Sequence, residues 1–346
     1  GHLDGAGRDA VGDDVGAAVV DALRVGDRRS LEADAHAIRL LGDAIFGFRE
    51  GAPAVGGEVL FLRTPDDADR AGAQREELGR HDIGAGAAVM HHHAVIDQSF
   101  VEVDVELRQI EKQARWTLAV NRWIEENGCN ASAIQCWRSL QDNFGCATCL
   151  TMSMMGEDLM PSACEVDIMG ALSMYALALA SGAPPAILDW NNNYAYEEDI
   201  CVCTHCGNYP KSFIGDTPEV GELDVLGETI GREKCFGAVK GKVKAGPMTY
   251  FRLSTDDRRG TVKCYLGEGE FTEHPFAMDG GIAVSRVPQL RKLLRFVTQN
   301  GFEHHVAMVR GHHADVVNEA VTRYLGWPIY HHGAEPEPQL YMPNRF

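Results

Sequence analysis

The chain is 346 residues long, 45% apolar, and carries a formal net charge of −18. Such a charge repels phosphate backbones and anionic lipid, so neither nucleic acid nor a membrane surface is expected as the main partner. The length predicts two or three domains with a real core, and no run reaches the ~18 apolar residues of a membrane-spanning helix.

The N-terminus shows no basic stretch leading into an apolar one, so no secretory signal is expected. The ten cysteines, at 129, 136, 146, 149, 164, 201, 203, 206, 235 and 264, are therefore read as reduced thiols in a cytoplasm, most of them small buried hydrophobes.

Vocabulary changes near residue 100. Residues 1–100 contain no Lys, Trp, Tyr, Cys or Asn, whereas all ten Cys and five Trp lie beyond. Val15 to Val25 and Leu31 to Phe46 have helical apolar spacing, Glu58 to Leu62 reads as a short strand, and the tract 65–80 is polar and charged. Two readings stay open for 1–100: an Arg-rich domain, or a segment that is partly an alternate reading frame or a misjoined gene start.

Beyond residue 100 the signals strengthen. Val105 to Glu126 predicts a long helix stopped at Gly128. Ala133 to Cys136 predicts a short strand, Asp167 to Ala180 a buried helix, and Pro185 to Leu188 and Ile200 to Cys203 two further short strands. This alternation predicts an α/β domain over 101–215, a Rossmann-like layer with parallel pairing.

The later part differs. Met248 to Ser254 and Thr261 to Leu266 alternate β-branched and aromatic residues around the turn-like Thr255 to Gly260, which predicts a hairpin. Val287 to Asn300 has helical spacing with Pro288 near its start, and His313 to Leu325 predicts a closing helix stopped by Gly326 and Pro328. A β-rich, barrel-like C-terminal domain over 216–346 follows, with a site in the cleft between the two domains.

Three places put acids or histidines at element ends. Cys164-Glu165-Val166-Asp167 precedes the buried helix. Asp189 closes an apolar strand, where α/β sheets bind ligands. Glu303-His304-His305 opens the apolar run to Val309. A Glu, Asp and His set suits Mn²⁺ or a similar divalent cation. Three ligands leave positions open to polarise vicinal sugar oxygens, and a carboxylate base can then move a proton between neighbouring carbons. Taken singly, each has a plainer explanation: a helix-start Glu favoured by the dipole, a turn-forming Asp, a hydrogen-bonded structural His.

The longer pattern resembles the L-fucose isomerase and L-arabinose isomerase superfamily over residues 105–335. The resemblance rests on Ile134-Gln135-Cys136-Trp137, Cys164 to Leu172, Leu188-Asp189-Trp190, Cys203 to Asn208, Pro210-Lys211-Ser212-Phe213, Glu303-His304-His305 and Gly311-His312-His313-Ala314-Asp315. Steps of 24, 16 and 100 residues separate Glu165, Asp189, His205 and His305, an order and spacing similar to the family's.

The resemblance implies that Glu165 and Asp189 are both metal ligands and the acid/base pair, and that His305 is the final ligand. It implies that His205 is a site histidine, a ligand in the arabinose branch, and that Gln135 contacts substrate as in the fucose branch. Trp190 is a candidate sugar-ring contact, as is Trp137. His304 stands where the fucose branch tends to have Asn, and Asp189 where the arabinose branch has Glu, which leaves the sugar open among L-fucose, D-arabinose, L-arabinose and a sulfonated hexose. The family usually carries a further α/β domain at its start and assembles as a closed homo-oligomer, trimer-based or hexameric.

Competing readings use other residues. Cys146-x-x-Cys149 and Cys203-x-x-Cys206 could form a structural zinc site, although 54 residues separate them; Cys146-x-x-Cys149 alone could be redox-active. A non-catalytic sugar-binding protein on the same fold is the other alternative. His91 to His93 and His331-His332 read as surface, His312 and His313 as partners orienting the ligands, and Asn191 to Asn193 as turn residues.

Overall fold

The computed structural model describes the backbone of residues 59–62 and residues 107–216 and 218–334. The expectations for the rest of 1–106, including both helices and His91 to His93, lie outside the described residues. Strand β1 (Val59–Leu62) occurs where a short strand is expected.

Helix α1 (Leu107–Asn127) buries Ile110, Ala114, Trp116, Val120 and Ile124, a stripe at helical spacing. Gly128, at φ 59°, ends it as its sequence position suggests. Strand β2 (Ala131–Ile134) is buried throughout. Helices α2 (Ser139–Phe144) and α3 (Cys149–Glu157) then carry the chain to β3 (Ser162–Cys164). β3 lies parallel to β2, with Ile134 beside Cys164, and β1 pairs with β2 antiparallel. Helix α4 (Ile168–Ser181) follows at once.

The remaining strands are β4 (Ala186–Asn193), β5 (Ile200–His205), β6 (Glu219–Glu222), β7 (Phe236–Lys242), β8 (Gly246–Asp256), β9 (Thr261–Phe271), β10 (Gly281–Arg286), β11 (His305–Arg310) and β12 (Ile329–His331). Six of them close into a barrel in the order β9-β8-β11-β4-β5-β10, with β10 returning to β9. Every contact around this ring is antiparallel. β7 with β6, and separately β12, extend the sheet beyond the ring. The hairpin expected around Thr255 to Gly260 is β8–β9, in continuous register from Gly246↔Phe271 to Asp256↔Thr261.

The parallel pairing expected for the strands near 185–188 and 200–203 is corrected. They are β4 and β5, they pair antiparallel, and they belong to the barrel. Residues 194–199 alone join them, and a parallel crossover needs a dozen residues or more. The barrel therefore draws strands from both sides of residue 215.

Alternation along β11 divides the interior. Val306 and Met308 point into the barrel with Leu188, Tyr250 and Tyr265. Ala307 and Val309 point outward to a second core with Leu172, Leu177, Ile187, Phe251 and Leu253. Burying each large aliphatic chain there contributes about 1.5–3 kcal/mol. That second core seats α4 against the barrel wall, which brings the β3–α4 turn over the ends of β4, β5 and β11.

Helix α5 (Leu290–Gln299) begins just after Pro288, and α6 (Ala314–Glu319) runs on as a π-turn over Ala320–Leu325 to Gly326. Among the described residues, no helix is long and apolar enough to cross a membrane.

Candidate active site

The chain leaves β3 through two residues in the left-handed region, Glu165 at φ 61° and Val166 at φ 57°. For a β-branched residue this conformation is an outlier, costing about 1–3 kcal/mol. The turn is held by the Val166 amide donating to the Ile134 carbonyl (3.3 Å) and the Asp167 amide donating to that of Cys164 (3.0 Å). Asp167 then caps α4, accepting from the Gly170 amide at 2.8 Å. A Cβ on residue 170 would stand 2.3 Å from the Asp167 carboxylate and 2.4 Å from Ile187, so only glycine lets this cap close. Because Ile134 and Cys164 are neighbours, Gln135 and Glu165 emerge side by side at the carboxyl ends of β2 and β3.

The barrel supplies the other half. His305 opens β11 directly opposite Asp189 on β4, and Asp189 in turn stands beside Thr204 on β5. His305 Nε2 lies 3.4 Å from Asp189 Oδ1, 3.8 Å from Glu165 Oε2 and 3.4 Å from His205 Nε2. Asp189 Oδ1 is also 3.9 Å from His205 Nε2 and 3.6 Å from the exposed His304 Nε2. The four residues singled out by spacing, Glu165, Asp189, His205 and His305, thus converge.

A bulge in β4 follows Asp189, and within it Asn191 Oδ1 accepts from both the amide and the hydroxyl of Thr204, at 2.6 and 2.7 Å. Asn191 to Asn193 are strand residues, not the turn expected of them.

Two residues that sequence reasoning left without a role orient this cluster. His305 Nδ1 donates to Asp167 Oδ2 at 2.8 Å, which leaves Nε2 as the acceptor facing the carboxylates. Asp167 is gripped by the buried guanidinium of Arg252, whose Nη1 donates to Oδ2 and whose Nη2 donates to Oδ1 at 3.0 Å. Arg252 also reaches Glu303 at 3.2 Å, and Glu303 accepts from Ser254 at 2.9 Å. Burial works to raise the Asp167 pKa, but the His305 hydrogen bond and the Arg252 charge hold it well below the usual carboxylate range. The available signal for Arg252 was a lone cation inside the apolar run Tyr250 to Leu253, which must be buried with a partner.

For His205, burial favours the neutral ring, but the Cys206 sulfur and the Asp189 carboxylate outweigh it and push the pKa up to about 10. His312 and His313 do not orient the ligands: His312 is 3.2 Å from Glu268, and His313 Nε2 is 3.2 Å from the Arg310 carbonyl. The Trp190 indole donates to the Tyr265 hydroxyl (2.9 Å) and meets Tyr250 edge-on, while Trp137 is exposed. Tyr194 donates to the Pro275 carbonyl at 2.9 Å.

The residues fit a divalent cation. Asp189 Oδ1 is buried and has no hydrogen-bond donor, yet three imidazole nitrogens surround it. One donor atom from each of Glu165, His205 and His305, and likewise from Asp189, His304 and His305, lies within 4.8 Å of the others. Mixed carboxylate and imidazole donors suit Mn²⁺ and other borderline-hard ions.

Residues 203–332 match the family described as L-fucose isomerase, C-terminal domain. Over that stretch the chain is similar to the L-fucose isomerase-like superfamily. Among its relatives, it is 31% identical over 228 residues to the sulfoquinovose isomerase of Alkalicoccus urumqiensis, covering 64% of this chain and 48% of that protein. It is 32% identical over 212 residues to that of Clostridium sp. (strain MSTE9), covering 59% and 44%. With the sulfoquinovose isomerase of Priestia aryabhattai the figures are 29% over 205 residues, 58% and 44%. The chain spans about half the length of the curated relatives it matches. The fucose isomerase-like match starts at Cys203, so His205 and His305 fall inside it and Glu165 and Asp189 before it.

Proposed function

We propose that this chain is a metal-dependent aldose–ketose isomerase acting on a free, open-chain sugar. Glu165, Asp189 and His305 would hold Mn²⁺ or another divalent cation, with His205 completing the site. When bound, the cation supplies Lewis-acid polarisation of the vicinal carbonyl and hydroxyl oxygens of the sugar. One of the two carboxylates takes the proton from the carbon next to the carbonyl and returns it to the neighbouring carbon, passing through an ene-diol. Glu165, on the strained turn, and Asp189, on the barrel, approach from different elements, which suits one base and one acid. Asp167 and Arg252 hold His305 in the tautomer that leaves Nε2 free. Gln135, beside Glu165, is proposed to bind the sugar's hydroxyls, and Trp190 to back the sugar from the barrel side.

The relatives' shared name points to a sulfonated aldohexose as the first substrate to try, ahead of L-fucose, D-arabinose and L-arabinose. A closed homo-oligomer, trimeric or hexameric, in the cytoplasm is the setting proposed with this reading.

The observation that carries the proposal is the donorless, buried Asp189 Oδ1 facing His305 beside Glu165. Metal content after Mn²⁺ loading tests it, in untagged full-length chain with His91 to His93 replaced. One Mn²⁺ per chain, lost in Glu165→Gln, is expected, followed by turnover in a sugar panel. Equal or absent Mn²⁺ in both proteins would overturn it.

A further inference from the structure

Behind the carboxylate–histidine cluster lie four cysteines from four separate places in the chain. Cys136 follows β2, Cys149 opens α3, Cys164 ends β3 and Cys206 follows β5. Cys164 Sγ is 3.5 Å from Cys206 Sγ, and Cys149 Sγ is 3.8 Å from Cys206 Sγ. Cys136 and Cys149 are also close enough to Cys164, and Cys136 to Cys206, to shift one another's titration. Cys136, Cys149 and Cys164 are buried, whereas Cys206 is partly exposed.

These are not the two Cys-x-x-Cys pairs visible in the sequence. Cys149 and Cys206 each contribute, but Cys203 contacts Cys201 instead, at 3.6 Å, and Cys146 has Lys112 as its charged neighbour. Residues distant in sequence supply the other two sulfurs.

We infer that Cys136, Cys149, Cys164 and Cys206 form a tetrahedral thiolate site for one Zn²⁺, separate from the proposed sugar-binding metal. A zinc–sulfur bond is about 2.3 Å, which puts the sulfurs of a tetrahedral site about 3.8 Å apart; the spacings from Cys206 to Cys164 and Cys149, 3.5 and 3.8 Å, are close to that edge. Binding would release the thiol protons to solvent and leave a centre with net negative charge. His205 Nδ1, 3.2 Å from Cys206 Sγ, can donate to that thiolate as an outer partner. A cation that displaced the proton on its Nε2 would leave that nitrogen as the acceptor turned toward Asp189 and His305.

Placement gives the centre a purpose. Cys136 follows Gln135, Cys164 precedes Glu165, and Cys206 follows His205. One zinc would thus pin the backbone beside three residues of the proposed active site, and tie the ends of β2 and β3 to the end of β5. The inference does not depend on isomerase activity, because it concerns other ligand atoms.

Zinc content and cobalt substitution of the full chain test it. One zinc per chain is expected, resistant to brief chelation, unchanged in Glu165→Gln, and released when a mercurial reagent titrates the thiols. The cobalt derivative should show a thiolate-to-cobalt charge-transfer band and intense tetrahedral visible bands, which histidine and carboxylate ligands cannot give. Cys149→Ser should lower zinc from one per chain to near zero. Absence of zinc together with no thiolate band would overturn the inference, as would full zinc in Cys149→Ser, iron–sulfur absorption, or a Cys164–Cys206 disulfide in freshly purified protein. If the serine variant fails to fold, the cobalt spectrum of the unmodified chain decides alone.

Discussion

Arg252 and Asp167 show how one buried charge sets the direction of a ring. Asp167 accepts from the α4 amide, from Arg252 and from His305, so removing Arg252 leaves a buried carboxylate without its cation. Arg252→Met should destabilise the fold by about 3–5 kcal/mol, with Asp167→Asn restoring part of that in the double variant; urea denaturation of the four proteins measures the coupling. By contrast, Glu165 is partly exposed and Asp189 Oδ1 has no donor, so neither supports the fold. Glu165→Gln and Asp189→Asn should therefore lower turnover by roughly 10²–10⁴-fold while the unfolding midpoint stays near that of the parent. Full activity in either would remove the proton-transfer assignment.

The β3–α4 turn is the element on which the site depends. Its two left-handed residues store strain that a glycine would not carry, although glycine loses more entropy on folding, about 0.5–1 kcal/mol. Strain relief is the larger effect, so Val166→Gly should raise the thermal midpoint modestly, by the equivalent of about 1 kcal/mol, and loosen Glu165. A lowered midpoint would mean that the Val166 side chain contributes more by packing than its backbone costs. α4 itself was readable from its apolar composition and Asp167 cap, and β8–β9 from period-two alternation around a polar turn. The partners of β4 and β5 were not, because a short apolar run has the same appearance in a parallel layer and in an antiparallel barrel; only the six-residue connection favours the latter.

Over the whole molecule, closure of the ring through Ser285↔Phe271 and Arg286↔Glu270 leaves no free edge among its six strands. Next to the barrel, β12 ends at His331, followed by the buried His332. Its Nε2 donates to the Pro288 carbonyl at 2.7 Å, and its Nδ1 faces the Tyr330 hydroxyl at 3.0 Å. Burial is the main reason that its pKa lies below the usual 6.5, and the same holds for His331. The folded state therefore keeps these rings neutral while the unfolded chain takes up protons. That contribution is fully present above about 6.5 and is lost as pH falls through the lower folded values. Chemical-denaturation midpoints should fall between pH 7.5 and 5, and fall less in His332→Gln; an identical pH dependence in the two proteins would show that another group governs it.

The amino-acid sequence alone determined the long helix at 107–127, the β8–β9 hairpin and the order of Glu165, Asp189, His205 and His305, because periodicity, turn chemistry and spacing are local or linear properties. Tertiary structure alone decided that β4 and β5 complete a barrel, that Asp167 and Arg252 aim His305, and that Cys136 and Cys164, rather than Cys146 and Cys203, meet Cys149 and Cys206. Each of those outcomes is a contact between residues far apart in the chain, and no local pattern encodes which distant partner will relieve a buried charge, a strand edge or a thiol.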